Sequence, residues 1–274
     1  MLNLETLTAL QQSQSIHEAN NAVAVSKDTK DIVALPSDYK LSDLEQYLPA
    51  RRRARGTMST SLLESFAKYV KDQAEATSVF VDADKLKAVA VLNLGTPERP
   101  GHADNLAALE LKKTAAYTAL TGTATGLGHA QKAIAEFLED WADCVQCFDD
   151  AGEIKTSKAV AAVRKITIES MRKMESEEQS LGATKSAFES VQASSKEPLP
   201  AIIYFKCEPY AGLEQRLFVL RLGVLTGEAV PKVNLRIIKA EQHQEEMAQE
   251  LAVKTRDALG DDFAVMLGNY KKAE

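Results

Sequence analysis

Cysteine is scarce. Cys144, Cys147 and Cys207 are the only three in 274 residues, an odd number and too few for a disulfide framework. Cys144 and Cys147 form a Cys-x-x-Cys, but no second such pair and no paired histidines accompany it, so the four ligands of structural zinc are not there. The motif lies at the end of a helical stretch, where the helix dipole disfavours a thiolate, which argues against redox use. These residues are expected to be packing thiols in a reducing compartment.

No apolar run approaches the roughly 18 residues that span a bilayer. The N-terminus, MLNLETLTALQQSQSIHEANNAV, has no basic segment leading into a long apolar one. The expectation is a cytoplasmic chain without a membrane partner. Excess basic charge is also lacking: 33 Lys and Arg stand against 39 Asp and Glu, a net charge of −6, which argues against a protein that coats nucleic acid. Gly-x-Ser-x-Gly, His-Glu-x-x-His and Walker signatures are absent; GTATGLG, residues 122 to 128, has no following Lys-Ser/Thr and no preceding strand, and reads as a flexible connector.

What is there is an ordinary globular composition, 45% hydrophobic and 26% charged. Leu4, Leu7 and Leu10 mark a first short helix before a polar stretch. Ser42 and Glu45 suit a capping box closed by Pro49. Leu62, Leu63, Phe66, Tyr69 and Val70 form a helical stripe. Val79 to Val81, a tight Asp-Ala-Asp-Lys turn and Ala88 to Leu94 read as a hairpin. GTPERPGHADN is a Gly/Pro loop leading into a helix-like segment through Leu106, Leu109, Leu111 and Tyr117.

The clearest helix is HAQKAIAEFLEDWADCVQCF, with Ile134, Phe137, Leu138, Trp141, Val145 and Phe148 on one face. A second, more charged one runs from about Ser157 to Ser180, followed by a linker-like stretch. After Pro200 the chain turns β-rich: AIIYFKCEP, RLFVLRLGVL and KVNLRIIKA, with TGEAVP turning between the last two, predict an antiparallel sheet with one solvated face. A helix with Met247, Leu251, Thr255 and Ala258 aligned stops at Gly260, and Phe263 to Leu267 is a last strand rejoining that sheet.

The fold class is therefore α+β, with antiparallel sheet packed against long amphipathic helices. The organisation reads as an N-terminal helix or arm over 1–34, a mixed helix and hairpin region over 35–190 and a β-rich region with one helix over 191–274, the whole compatible with one continuous domain.

Several features taken in order resemble the YfdQ-like family of phage- and prophage-encoded proteins of unknown function. They are Pro36, Tyr39, Leu44-Glu45, the arginine-rich stretch ending Arg55-Gly56, Phe66, Tyr69, Phe80-x-Asp82 and the Ala88 to Asn93 strand. His102-x-Asp104, Gln131 ahead of Phe137-Leu138-Glu139-Asp140, and a late strand with Arg216 and Arg221 complete the series. The resemblance covers most of residues 35 to 240. It implies a phage-derived accessory protein, of a kind whose genes lie among early or recombination genes.

Two groups are candidate sites. Arg51, Arg52, Arg53 and Arg55 crowd into five positions of an acidic chain. They suit solvation or local pairing with Asp38, Asp43 and Glu45, a subunit contact through guanidinium forks, or phosphate binding. Interleaved aromatics, which single-strand binders stack on bases, are missing. His102 and Asp104 suit a pair of metal ligands or an oriented base, but further ligands at suitable spacing are missing, and a histidine fixing the turn at Pro100-Gly101 explains the pattern as well.

The expectation is a non-enzyme without cofactor or metal that self-assembles as a homo-oligomer or binds a phage or host protein. The alternatives are a DNA replication or recombination accessory that binds nucleic acid through the arginines, and a metal-dependent hydrolase at His102 and Asp104.

Overall fold

The computed structural model describes residues 3–25, 45–73, 77–149, 151–166, 199–225 and 232–271. The chain divides into two compact units, residues 1–54 and 55–274.

In the N-terminal unit, α1 (Leu4–Val25) starts at Asn3, whose side-chain oxygen accepts the Glu5 N–H at 2.7 Å and so satisfies an orphan donor of the first turn. A single 3₁₀ turn follows at Glu45–Tyr47. The expected cap at Ser42 lies outside the described residues.

The larger unit contains two sheets. The first has the order β1 (Gly56–Thr60), β6 (Asn105–Glu110), β3 (Lys87–Val91), β2 (Ser78–Asp82), β13 (Ala264–Leu267). It is mixed: β1 runs parallel to β6, and β13 parallel to β2, while β2, β3 and β6 are antiparallel neighbours. Alternation sends Val79 and Val81, with Ala88 and Ala90, into the core. Two helices meet over this sheet. One is α2 (Leu63–Gln73), which buries Phe66, Ala67 and Val70. The other is α6 (Ala240–Leu259), which buries Met247, Ala248, Leu251, Ala252, Thr255 and Leu259 at helical spacing. Gly260 ends α6 at φ +87, a conformation that glycine adopts without strain, and its N–H bonds Arg256 O.

The second sheet is antiparallel throughout, in the order β7 (Thr125–Ala130), β12 (Lys232–Ile237), β11 (Arg216–Leu225), β10 (Ile202–Cys207), β8 (Val145–Asp149), β9 (Gly152–Ile154). α4 (Gln131–Asp140) and α5 (Thr156–Arg164) cover it, and Phe137 of α4 stacks on Phe205 of β10 with ring centroids 5.5 Å apart. In the chain, α3 (Ala115–Thr123) links β6 of the first sheet to β7 of the second; it is capped by Thr114, whose hydroxyl accepts the Tyr117 N–H. The buried side chains of both sheets form one continuous cluster, so the unit has a single core. The class is α+β.

Several local expectations are corrected. Residues 105–110 are a strand, not the start of a helix. They pair on both sides, and Ala107, Ala108 and Leu109 are all buried, a pattern periodicity alone cannot separate from a helix. Residues 125–130 are an edge strand rather than a connector, held by β12. The helix from Gln131 stops at Asp140, and Val145 and Phe148 belong to β8. Cys147 therefore sits within a strand opposite Ile203, and Cys144 in the preceding 3₁₀ turn, not at a helix end. The last strand joins the first sheet rather than the second. The helix expected to Ser180 ends at Arg164 as far as the description goes; residues 167–198 and the turn at 226–231 lie outside it.

Candidate functional site

The Gly/Pro loop of the sequence is the outer half of a long hairpin. β3 and β6 pair as far as Val91 and Leu106, and the Leu92 N–H then bonds Asn105 O at 2.9 Å. The same two chain segments continue outward. Gly101 N–H bonds Leu94 O at 2.8 Å, and β4 (Gly95–Thr96) pairs with β5 (Arg99–Pro100). Thr96-Pro97-Glu98-Arg99 closes the tip, with the Thr96 hydroxyl accepting the Arg99 N–H at 3.2 Å. Proline is preset for the second position of such a turn. Every residue from Thr96 to His102 is exposed, so this ribbon projects from the sheet as an arm.

At its base is a bulge: two residues, Asn93 and Leu94, face four, Gly101 to Asp104. Asn93 holds it. Its side-chain oxygen accepts the N–H groups of Asp104 at 3.1 Å and Asn105 at 3.0 Å, and its amide donates to the Asp104 carboxylate at 2.9 Å. The chain passes through the left-handed region at Ala103, φ +50, a strained state for a residue with a Cβ. Neither glycine has space for a side chain: a Cβ on Gly101 falls 1.9 Å from Asn93 O, and one on Gly95 falls 2.3 Å from Arg99 O. The Asp104 carbonyl accepts the Gly56 N–H at 2.8 Å, where the β1 pairing begins. The bulge thus sets the register of the first sheet's edge strand.

This places the residues singled out from the sequence. His102 is exposed on the bulge, and Asp104 is half-buried with its carboxylate engaged by Asn93. The two share the bulge, and Arg55, adjacent to Gly56, stands at the same end of the sheet. Arg51, Arg52 and Arg53 belong to the N-terminal unit; Arg51 and Arg52 are exposed, Arg53 is half-buried, and the Arg52 N–H bonds the Glu45 carboxylate at 3.0 Å. Among the described residues, no three His, Cys, Asp or Glu side chains gather as metal ligands.

A second constellation went unrecognised in the sequence. Arg216, at the start of β11, forks onto two carboxylates of α6: Nη1 to Glu246 and Nη2 to Glu250, both at 2.8 Å. Glu250 also accepts the Glu214 N–H at 2.6 Å and lies 3.7 Å from the Lys254 ammonium. The Gln242 amide, followed by the Arg216 and His243 charges, holds the Glu246 carboxyl below its usual range against the opposing pull of burial. The His243 ring packs on Phe218 at 4.8 Å, and burial lowers its pKa.

Burial, then Tyr210 and Cys207, push the neighbouring Tyr117 hydroxyl up to about 12. Burial likewise pushes the Cys147 and Cys207 thiols up to about 12. These groups stay protonated at neutral pH, and the arginine fastens α6 to the second sheet. Alongside opens a groove of ≈ 500 Å³ with Leu63, Leu111 and Leu213 among its walls and Ser61, Lys254 and Asp257 among its polar groups. The available signal was an arginine interrupting an apolar strand, followed by two glutamates four residues apart on the next helix.

A family model described as an uncharacterized conserved protein, DUF2303, matches residues 4–270. No curated protein and no solved structure gives a significant match.

Proposed function

We propose, for a chain that belongs to the DUF2303 family of uncharacterized conserved proteins, that it is a non-enzymatic accessory protein of phage or prophage origin, acting in the cytoplasm by assembling with copies of itself. The observation that carries this reading is α1. Leu4, Leu7 and Leu10 are 80%, 45% and 56% exposed, and at 100° per residue they fall within an arc of about 120°. A single helix rich in Ser, Thr, Asn and Gln is marginal in water on its own. Pairing this stripe with its copy on a second chain would contribute about 1.5–3 kcal/mol per fully buried leucine. The engaged state of Asp104 and Arg216 also supports a binding protein over an enzyme. Phage origin rests on the resemblance across residues 35 to 240.

Light scattering on the full chain at micromolar concentration tests assembly. A multiple of 29.9 kDa is expected, collapsing to one chain in a Leu4→Ser, Leu7→Ser, Leu10→Ser variant. A wild-type mass of one chain rejects the proposal.

A second reading, an accessory factor of phage DNA replication or recombination, is favoured by the exposed arginines Arg51, Arg52, Arg55 and Arg99. Replacing Arg51, Arg52, Arg53 and Arg55 together by Ala should abolish DNA retention while melting temperature and mass stay unchanged. Retention equal to wild type removes the four-arginine patch from that reading.

A further inference from the structure

We infer that the hairpin arm is a probe for the minor groove of duplex DNA, its tip entering the groove with Arg99 and Pro97. The inference deepens the nucleic-acid reading and rests on it.

Size comes first. Pro97 at the tip lies five residue steps beyond Leu92, the last at the sheet; at about 3.3 Å each they reach about 16 Å. A minor groove is about 6 Å wide and 7.5 Å deep, so the tip can reach its floor while the base remains outside. A whole ribbon is too wide for an undistorted groove, so only the turn enters, and a wedge must open the step.

The chemistry of the tip fits that task. Thr96 to His102 contains one arginine, one histidine and two prolines, with no Asn or Gln of the kind that reads adenine in the major groove. Arginine is drawn to the strong negative potential of a narrow minor groove. Proline is one of the apolar wedges that part stacked base steps. Among the described residues the Arg99 guanidinium has no ion-pair partner, and the side chain is exposed. Arg55 stands at the arm's base.

The arm is also pre-organised. The Asn93 bonds, the two glycines without space for a side chain and the two prolines fix its shape before any partner arrives. Little ordering entropy is then lost on binding. One charge opposes the fit: Glu98, exposed at the tip, whose carboxyl is held below its usual range by its own backbone N–H and by Thr96. It sits where phosphates would pass, so removing its charge should strengthen binding.

The test is equilibrium binding of the full chain to a labelled AT-rich duplex, titrated with salt and repeated with a single strand of the same sequence. Arg99→Ala should lower duplex affinity about tenfold and reduce the slope of log K against log salt by about one, with the melting temperature unchanged. Glu98→Gln should raise affinity about threefold at low salt. Lys71→Ala, an exposed charge on α2, should change affinity by less than about twofold. A minor-groove dye should be displaced by the wild type.

Duplex binding that Arg99→Ala leaves intact, and that only the four-arginine variant abolishes, overturns the arm and leaves the nucleic-acid reading standing. Preference for the single strand, or a dye that stays bound, also overturns the arm. No retention of either form at low salt ends both.

Discussion

Arg216 and Arg99 show two uses of one side chain within the same core unit. The Arg216 side chain is 17% exposed, and its guanidinium is forked between Glu246 and Glu250. Arg99 stands on the tip of a ribbon, its backbone bonded to Thr96 and its guanidinium, among the described residues, in no ion pair. At the first place charge is turned inward and matched; at the second it is displayed, and the structural work is done beneath it by the neutral side chain of Asn93. A buried charge must be paired to be tolerated, whereas an exposed one contributes almost nothing to folding and is available for a partner. The comparison makes stability the property that separates the two regions.

The largest effect is expected at the fastener. Arg216→Ala removes one partner from two carboxylates, and Glu250 is left 14% exposed and unpaired by guanidinium. Stranding a buried charge costs about 3 kcal/mol, less here because Glu246 is half-exposed and can take up water. For a unit of this size the full ~3 kcal/mol would lower the melting temperature by roughly 6–12 °C, and the expected drop falls below the top of that range. Arg99→Ala should leave the melt within about 0.5 kcal/mol of wild type. Equal melting of the two variants would erase the distinction.

The next effect lies in the arm itself. Gly101→Ala puts a methyl group 1.9 Å from the Asn93 carbonyl, so the ladder must open. Overpacking of this kind costs typically 1–3 kcal/mol, and about 2 is expected here, read as a shift in denaturation midpoint at unchanged m-value. Asn93→Ala should come close to it, since three hydrogen bonds of the bulge go with the side chain. If both variants melt as wild type, the arm is not the rigid element described.

How much of this was legible in the sequence differs between the same two regions. The β2–β3 hairpin, α6 and the strands β10 to β12 showed themselves through alternation or helical spacing bounded by turn residues. The outer arm did not. Its ladder is offset by a four-against-two bulge, and a ladder broken that way leaves only a run of Gly and Pro in the sequence. Leu106 and Leu109 stand three apart and suggested a helix, but β6 is central and buried on both faces, where tertiary pairing overrides local spacing. β13 pairs in parallel with a strand nearly two hundred residues earlier, and no local pattern encodes that.

At the candidate site, the chemistry-bearing residues His102 and Asp104 were visible as letters. Asn93, which decides what Asp104 does, was not. The glutamates that receive Arg216 were equally plain and equally unassigned, because their partner lies thirty residues away or more.

A smaller effect follows from His243. Burial lowers its folded pKa below the ordinary value of 6.5, although the nearby Glu246 pulls the other way and Arg216 adds to the lowering. The unfolded chain therefore binds the proton more readily. Stability from this group is present above about pH 6.5 and is lost as pH falls through the lower folded pKa. Denaturant midpoints measured from pH 7.5 down to about 5 should decline, and His243→Phe, which keeps the ring on Phe218, should flatten that part of the curve. An unchanged slope would show that burial does not lower the affinity of His243 for its proton in the folded chain.

The smallest effect is expected at Ala103, beside the glycine whose substitution is costly. Its backbone holds φ +50, and its side chain is 6% exposed. Ala103→Gly relieves a left-handed conformation worth roughly 1–2 kcal/mol. It also frees the unfolded chain, a loss of about 0.4–1 kcal/mol, and removes a buried methyl worth about 0.8. These contributions nearly cancel, so the midpoint should stay within about 0.5 kcal/mol of wild type. Ala103→Val keeps the methyl but adds β-branching, which the left-handed region resists, and should destabilise clearly. If glycine instead stabilised the protein by more than about 1 kcal/mol, the bulge would be a strained element held by Asn93 against its own preference. If glycine destabilised it by as much as Gly101→Ala does, packing of the Ala103 methyl, and not hydrogen bonding by Asn93, would be what keeps the arm in place.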